Sequence, residues 1–305
     1  MELLSNITEA QLEVIYFLNR YTKGSWIFNS KTGLVDIEGD FICCHEGLKD
    51  FKGVRFGVVT RYFYCGHNYL TSLEGAPQEV GGDFHCSYNK LTSLEGAPKK
   101  VVGGFDCSNS QLISLEGAPQ EVGGDFDCSY NKLTSLEGTP QEVGGDFDCS
   151  FNDLTSLEGA PQVVTGHFSC SANELTSLKG SPQEVGGDFD CSYNKLTSLV
   201  GAPQKVGRGF GCYGFDCSNN QLTSLEGAPF SQSFYCSHNG ISEKTLKLVW
   251  ETMQEKKIDY WTALVILKSE ISASDLEKLE GDLDKRLPKD SQKGISMMNR
   301  FRHFD

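Results

Sequence analysis

Cysteine is the residue type with the most obvious chemical potential in this 305-residue chain, which contains 12 of them. Thiols act as nucleophiles beside a histidine, as metal ligands when clustered, or as disulfide partners. Eight of them lie 21 residues apart: Cys65, Cys86, Cys107, Cys128, Cys149, Cys170, Cys191 and Cys212. This constant spacing puts each thiol at the same place in a repeated unit. We therefore predict structural thiols in a reduced chain, rather than a disulfide scaffold.

The sequence offers little support for catalysis or metal binding. His85 adjoins Cys86, but adjacent strand residues face opposite sides, so no Cys–His dyad is expected. The Gly-Gly-Asp segments lack the nine-residue period of calcium-binding β-rolls. Neither a zinc-type C-x-x-C pair nor a phosphate-binding G-x-x-x-x-G-K-[ST] motif is present. We predict no enzyme activity, no metal and no cofactor.

The repeated unit reads F-x-C-x-x-N-x-L-x-x-L, as in Phe126, Cys128, Asn131, Leu133 and Leu136. The alternation of Phe and Cys has the period of a strand and sends both side chains inward. The asparagine is predicted to bond backbone groups of its own and the neighbouring unit, and the leucines to fill the interior. The remaining E-G-A-P-x-x-V-G-G-D is too short and too rich in Gly and Pro for a helix, so we expect an extended return with Ala and Val inward.

This pattern resembles the leucine-rich repeat signature L-x-L-x-x-N-x-L, with Phe and Cys in place of the first two leucines. Over residues 35–240 the chain is similar to the "LTSLEGAP" repeat arrays of tailed-phage and bacterial proteins of unassigned function, and to the short repeats of bacterial secreted effectors. The resemblance implies a mainly β solenoid, with about nine to ten coils over residues 41–240. Some such effectors end in a ubiquitin-ligase domain with a catalytic Cys. Residues 237–305 contain no Cys, which excludes that activity for this segment.

The two ends of the array differ from the repeat. Residues 1–40 are predicted to form an N-terminal cap, in which Thr8 and Gln11 give the capping-box signature of a helix and residues 26–41 read as a hairpin. Residues 241–305 show helical apolar spacing and are predicted to form a C-terminal α-helical cap. Whether these helices also bind a partner, or join copies of the chain into an oligomer, stays open.

The net charge of −14 is unevenly distributed: residues 241–305 are neutral, whereas residues 1–240 carry 15 basic and 29 acidic groups. An acidic body argues against nucleic-acid binding, since phosphates need cations opposite them. The chain starts without a signal-peptide pattern and contains no apolar run of membrane-spanning length. We predict a cytoplasmic protein, in the host cytoplasm if phage-encoded. The acidity favours a basic partner protein, with solubility as the alternative explanation.

Outward positions of successive coils align in columns about 4.8 Å apart. Two columns, one on each side of the repeat Phe, are mostly Asp, and a third, just before the repeat Asn, is mostly aromatic. Aromatic side chains beside carboxylates suit a surface rich in Lys and Arg. The candidate partner-binding residues in these columns are Asp106, Asp125, Asp127, Asp146, Asp148, His167, Asp188, Asp190, Tyr88, Tyr130, Phe151 and Tyr193.

Three places depart from the repeat. One has Lys99–Lys100 followed by Ser110 at the Asn position, and another has His167, Ser169 and Ala172. The third is the insertion GRGFGCYG at 207–214, a predicted loop whose Arg208 and Tyr213 are further candidate binding residues.

The leading hypothesis is a non-enzymatic protein that binds a partner through the acidic strand face and its aromatic border. The phage resemblance implies a host defence protein as the partner that is blocked. The alternative is capture of a small or polymeric ligand, such as a nucleotide signal or a sugar, near the 207–214 loop.

Overall fold

The computed structural model describes residues 8–207, 214–229, 234–240, 243–258 and 263. Its helices are α1 (Glu9–Tyr21) and α2 (Glu243–Lys256), and its hairpin pairs β1 (Thr22–Asn29) with β2 (Leu34–Ile42) antiparallel. Between the hairpin and α2 the chain winds into a parallel β-solenoid, in which each 21-residue unit makes one coil. The predicted fold class, a mainly β solenoid of short repeats with a helix at each end, is confirmed.

Each coil contributes two short strands. The front strands, which begin at the repeat Phe, are β4 (Phe63–Tyr64), β6 (Phe84–His85), β8 (Phe105–Asp106), β10 (Phe126–Asp127), β12 (Phe147–Asp148), β14 (Phe168–Ser169), β16 (Phe189–Asp190), β18 (Phe215–Asp216) and β19 (Phe234–Tyr235). The return strands are β3 (Phe56–Val59), β5 (Glu79–Val80), β7 (Lys100–Val101), β9 (Glu121–Val122), β11 (Glu142–Val143), β13 (Val163–Val164), β15 (Glu184–Val185) and β17 (Lys205–Val206).

Both sets of strands pair in parallel with the equivalent strands of neighbouring coils. Phe126 lies opposite Phe147 in the front sheet, and Val143 lies opposite Val164 in the return sheet. The pairing of β16 with β18 places Phe189 opposite Phe215, so the register continues across the 207–214 insertion. The return was predicted to be extended with Val inward, which is confirmed. The return strands also pair with one another from coil to coil, and β2 joins this return sheet to the front sheet.

The core is a set of columns running along the solenoid axis. The repeat Phe, Cys and Leu side chains are essentially inaccessible to solvent, and rings of successive coils stack about one strand spacing apart, as in Phe168–Phe189 at 5.2 Å between centroids. Both ends of the phenylalanine column are covered by aromatic side chains. Phe17 of α1 packs on Phe41 at 5.5 Å, and Trp250 of α2 stacks on Phe234 at 5.2 Å. The apolar ends of the array are thereby shielded from water.

Local signals at the N-terminal end are confirmed as well. The Thr8 hydroxyl accepts from the Gln11 N–H at 3.2 Å, and the Gln11 side chain accepts from the Thr8 N–H at 2.9 Å. This reciprocal capping box begins α1. The helices predicted after α2 lie outside the described residues, apart from Ala263, and the boundaries of the predicted domains stay predictions.

A buried asparagine ladder joins each coil to the one before it. Asn89 Oδ1 accepts from the Leu70 N–H at 2.9 Å, and its Nδ2 donates to the carbonyls of Cys65, Cys86 and Ser87 at 2.9–3.3 Å. Side-chain amides thus satisfy buried backbone groups that no strand pairing reaches. The same pattern is made by Asn68, Asn131, Asn152, Asn173, Asn194, Asn220 and Asn239.

Ser110 interrupts this ladder. It occupies the asparagine position of its coil, and its hydroxyl is buried with no hydrogen-bond partner. The serine side chain is too short to accept from the Leu91 N–H and donate to the Cys86 carbonyl as an asparagine would. A buried polar group without a partner costs about 1–3 kcal/mol, so this coil joint is a weak point of the solenoid.

We therefore expect Ser110→Asn to raise the free energy of unfolding by about 1–2 kcal/mol, because it restores the missing hydrogen bonds. Urea denaturation followed by circular dichroism measures the change. The matched control is Asn131→Ser, which creates the same defect one coil further on and should lower stability by at least as much. A Ser110→Asn protein no more stable than the wild type would contradict this account of the ladder.

Candidate functional site

The residue before each ladder asparagine, and before Glu46 and Ser110 at the equivalent positions, lies at the surface in an unusual backbone conformation. We call this set the stripe: His45, His67, Tyr88, Asn109, Tyr130, Phe151, Ala172, Tyr193, Asn219 and His238. All ten have φ between 50° and 59°, in the left-handed region. The turn that aims the asparagine inward requires this conformation, which costs a bulky non-glycine residue about 1 kcal/mol.

Where adjacent coils both carry a ring on the stripe, the rings stack face to face. Tyr130 and Phe151 lie 4.2 Å apart with planes 8° from parallel, and His67 and Tyr88 have the same geometry. Tyr88, Tyr130, Phe151 and Tyr193 remain 48–62% exposed. The predicted aromatic border therefore exists as a line of half-exposed rings, interrupted at Asn109, Ala172 and Asn219.

The column before the repeat Phe, here called the outer column, forms a second ladder. The Asp146 N–H donates to Asp125 Oδ1 at 2.8 Å, and the His167 N–H donates to Asp146 Oδ1 at 2.7 Å. His167 continues the series, because its Nδ1 accepts from the Asp188 N–H at 2.9 Å. A Cβ on Gly145 would lie 2.1 Å from Asp125 Oδ1, so the glycine makes room for the carboxylate. Each outer-column side chain thus supports the next coil's backbone.

The column between the repeat Phe and Cys, here called the inner column, contains Asp106, Asp127, Asp148, Asp190 and Asp216. Each carboxylate accepts from the backbone N–H of the serine two residues later at 2.8–2.9 Å. Directly paired strands place these aspartates next to one another, as with Asp127 and Asp148. All five are half-buried.

The inner column therefore concentrates negative charge where water is only partly available. Burial raises the pKa of Asp127 to about 6, with neighbouring Asp106 and Asp148 adding to the effect and hydrogen bonds from Ser129 opposing it. Burial likewise raises the pKa of Asp190. A cationic partner placed over this column would relieve the repulsion.

The structure brings the predicted surface residues onto one side of the solenoid, but both Asp columns have backbone partners that the sequence reasoning missed. The signals were present in the sequence: Asp two residues before Ser favours an Asx-type turn, and the Gly-Gly before each outer Asp leaves space for the preceding carboxylate. Arg208 and Tyr213 lie outside the described residues, as does most of the predicted 207–214 loop.

The departure from the repeat at Lys100 has a structural explanation among the return strands. Lys100 lies in register between Glu79 and Glu121, and its Nζ is 2.7 Å from a Glu121 carboxylate oxygen. The lysine separates two like charges in the return sheet. Exposed pairs of this kind add little stability, and we assign Lys100 no part in the candidate site.

The repeat thiols pack in the core and have a structural role. Cys128 and its equivalents are buried, and burial raises their pKa well above the ordinary value. A thiol in this environment is a poor nucleophile, because it is the thiolate that reacts. Cys44, which is off the repeat, is half-buried, and burial raises its pKa too.

In the described ranges, no three or more His, Cys, Asp or Glu side chains are arranged to hold a metal ion. Nor does the described part contain a helix with the length and apolarity needed to cross a membrane.

Comparison with known proteins identifies no family. No protein-family model matches the sequence, and no curated protein matches it. Among solved structures, the leucine-rich repeat domain of APL1B is similar at 16% sequence identity and a TM-score of 0.37, over 77% of this chain and 74% of that one. At this score the likeness adds nothing to what the coil geometry itself shows.

The raised pKa of Asp127 predicts a pH effect. Its folded-state pKa is about 6, above the unfolded value of about 3.9. The folded state therefore binds this proton more readily, and the stability gained from protonation is lost as the pH rises through 6.

We expect Asp127→Asn, which keeps an oxygen to accept from the Ser129 N–H, to be more stable than the wild type by about 1 kcal/mol at pH 7.5, with the gain shrinking towards pH 5. Guanidinium denaturation at both pH values gives the difference between the two proteins. A gain that does not change with pH would contradict the assigned origin of the shift.

Thiol accessibility provides a direct test of the coil geometry. In a Cys44→Ser, Cys212→Ser background, which removes the half-buried thiol and the one outside the described residues, Ellman's reagent should modify the remaining thiols no faster than the protein unfolds. The unfolded protein in concentrated guanidinium chloride is the control, and there all remaining thiols should react at once. Rapid modification of most thiols in the native protein would contradict the inward placement of the cysteines.

Proposed function

We propose that this chain is a non-enzymatic protein-binding solenoid, which engages a partner with a basic surface through the stripe and the inner column. A regular solenoid exposes a long surface on which equivalent positions of successive coils align, and repeat proteins use such surfaces for binding. Fold alone does not assign a function, so the proposal rests on the surface residues.

The observation that carries the proposal is the choice of bulky rings at left-handed positions. Asn and Gly adopt φ near 50° at lower cost than Tyr or Phe, and Asn109 and Asn219 show that this turn accepts asparagine. Tyr130, Phe151 and Tyr193 nevertheless place half-exposed rings there. Aromatic side chains are enriched in protein interfaces relative to the rest of the surface.

Charge supports a basic partner. Residues 1–240 carry 29 acidic and 15 basic groups, and the inner column holds partly buried carboxylates one strand apart. Like charges in neighbouring strands destabilise a sheet. A partner's Lys or Arg side chains would neutralise them and would also pack on the adjacent rings.

The absence of enzymatic activity is supported by the thiols, which are buried and have a raised pKa. The resemblance to tailed-phage repeat arrays is what favours a host defence protein as the partner and the host cytoplasm as the location. Residues 1–40 and 241–305 act in this proposal as caps of a binding array over 41–240.

To test this proposal, a lysate is passed over the immobilised wild-type chain. The protein that binds is identified by mass spectrometry. In the triple variant Asp127→Asn, Asp148→Asn, Asp190→Asn, each asparagine retains an acceptor for the serine N–H two residues later, so the fold should persist. Recovery of that protein should fall by at least about tenfold, since several opposed charges are lost.

The matched control is Glu121→Gln, Glu142→Gln, Glu184→Gln, which removes the same charge from exposed positions of the return sheet and should leave recovery unchanged. A second variant, Tyr130→Asn with Tyr193→Asn, should also recover less of the partner protein. Its stability should be unchanged, because asparagine suits the left-handed turn. Recovery that is undiminished in the triple variant would refute the use of the acidic face.

A further inference from the structure

The interruption of the stripe at Ala172 creates a gap between two rings. Ala172 lies on the coil between those of Phe151 and Tyr193 and has the same left-handed conformation as both. Rings on adjacent coils are 4.2 Å apart, so rings two coils apart are separated by about twice that distance. Because carbon atoms pack at about 3.5–4.0 Å, this separation has room for one planar group in contact with both rings.

The floor of this gap is partly exposed to solvent. The serine that precedes a stripe residue is only 4–7% exposed at Ser87, Ser108, Ser129, Ser150, Ser192 and Ser218. Ser171, which precedes Ala172, is only half-buried. Ser171 is thus less covered than these equivalent serines, as is Ser237 in the last coil. The interruption at Asn109 differs, because Ser108 stays buried there.

Polar groups at the floor suit a hydrogen-bond donor. The Ser171 hydroxyl lies 3.2 Å from the hydroxyl of Ser169 and also interacts with the Asp190 carboxylate. Ser169 replaces the inner-column aspartate of its coil, so Asp190 has no carboxylate directly opposite it on that side. Asp153 adds an exposed carboxylate two residues after Phe151, whereas the carboxylate of Glu174 is already paired with Lys195.

A guanidinium group fits this combination better than other side chains. It is planar, it stacks on aromatic faces, and its N–H groups donate to hydroxyls and carboxylates. A lysine ammonium carries the charge but cannot fill a slot between two rings, and a phenyl ring fills the slot but cannot use its polar floor. Cations already lie over tyrosine rings elsewhere in this chain, as with Lys90 over Tyr69 at 4.9 Å and Arg61 over Tyr62 at 5.4 Å.

We propose that the gap at Ala172 is an arginine-binding site, in which a partner's guanidinium stacks between Phe151 and Tyr193 and hydrogen-bonds to Ser171 and Asp190. The partner itself rests on the proposed function, whereas the site can be tested without one. The departure of this coil from the repeat at Ser169 and Ala172 is then a recognition feature.

The test uses three capped pentapeptides, Gly-Ser-X-Ser-Gly, in which X is Arg, Lys or Phe. Binding is measured by NMR from the ring resonances of Tyr193 in the full-length chain labelled on tyrosine. The arginine peptide should shift these resonances saturably, and the lysine peptide should bind about tenfold more weakly, the difference expected when one planar stacking contact is lost. The phenylalanine peptide should cause no saturable shift.

Ala172→Tyr fills the gap with the residue that the equivalent positions 130 and 193 already carry, so the coil should fold normally. It should abolish binding of the arginine peptide. The matched control is Asn109→Tyr, which adds the same ring at a different interruption and should leave binding unchanged. Asp190→Asn keeps the oxygen that accepts from the Ser192 N–H, removes the charge, and should weaken binding about tenfold.

Equal binding of the lysine or phenylalanine peptide, or arginine binding that survives Ala172→Tyr, would overturn the site. These results are separable from those that test the proposed function. Peptide binding without any effect of the Asp triple variant on partner recovery would support the site and refute the acidic-face model. Loss of partner recovery in the triple variant, together with no binding of the arginine peptide, would refute the site and support the acidic-face model.

Discussion

The structure depends on the buried side-chain amide of the repeat asparagine. Backbone hydrogen bonds between coils continue beyond the two-residue strands, but the turn after each front strand would still leave groups such as the Leu70 N–H and the Cys65 carbonyl unsatisfied in the interior. One asparagine, represented by Asn89, satisfies groups in its own coil and in the preceding one. To aim that amide inward, the preceding residue must adopt a left-handed conformation, and its side chain is thereby directed to solvent. The interior ladder and the exposed stripe are two results of one local requirement.

The acidic columns show how a single side chain can serve both fold and surface. Asp127 donates nothing and accepts from the Ser129 backbone and hydroxyl through one oxygen, while its charge lies beside those of its strand neighbours. The backbone hydrogen bonds stabilise the coil, whereas burial and repulsion oppose ionisation. A binding interaction that neutralised the column would remove the unfavourable part and keep the favourable one. Structural and recognition roles are therefore compatible in the same carboxylate.

Much of the fold could be predicted from the sequence because its determinants are local and repeated. The period of 21 residues, the inward Phe and Cys and the capping box at Thr8 all follow from spacing, whereas spacing alone would place Cys212 at the repeat position that Cys217 occupies. What spacing does not contain is the partner of each polar group. The two-residue period of a strand predicts that Asp127 faces outward, but only the structure reveals the serine N–H that donates to it, or the partial exposure of Ser171 next to Ala172. Those facts depend on packing between coils, to which the neighbouring side chains contribute.

The equivalence of the coils has a consequence for how such an array can change over generations. Loss or gain of one whole unit preserves every type of contact, since each coil touches only its two neighbours. Such an event would move the Ala172 coil relative to the terminal Trp250 by one strand spacing of about 4.8 Å and by no intermediate amount. The distance along the axis between two surface features can therefore change only in whole coils when units are lost or gained.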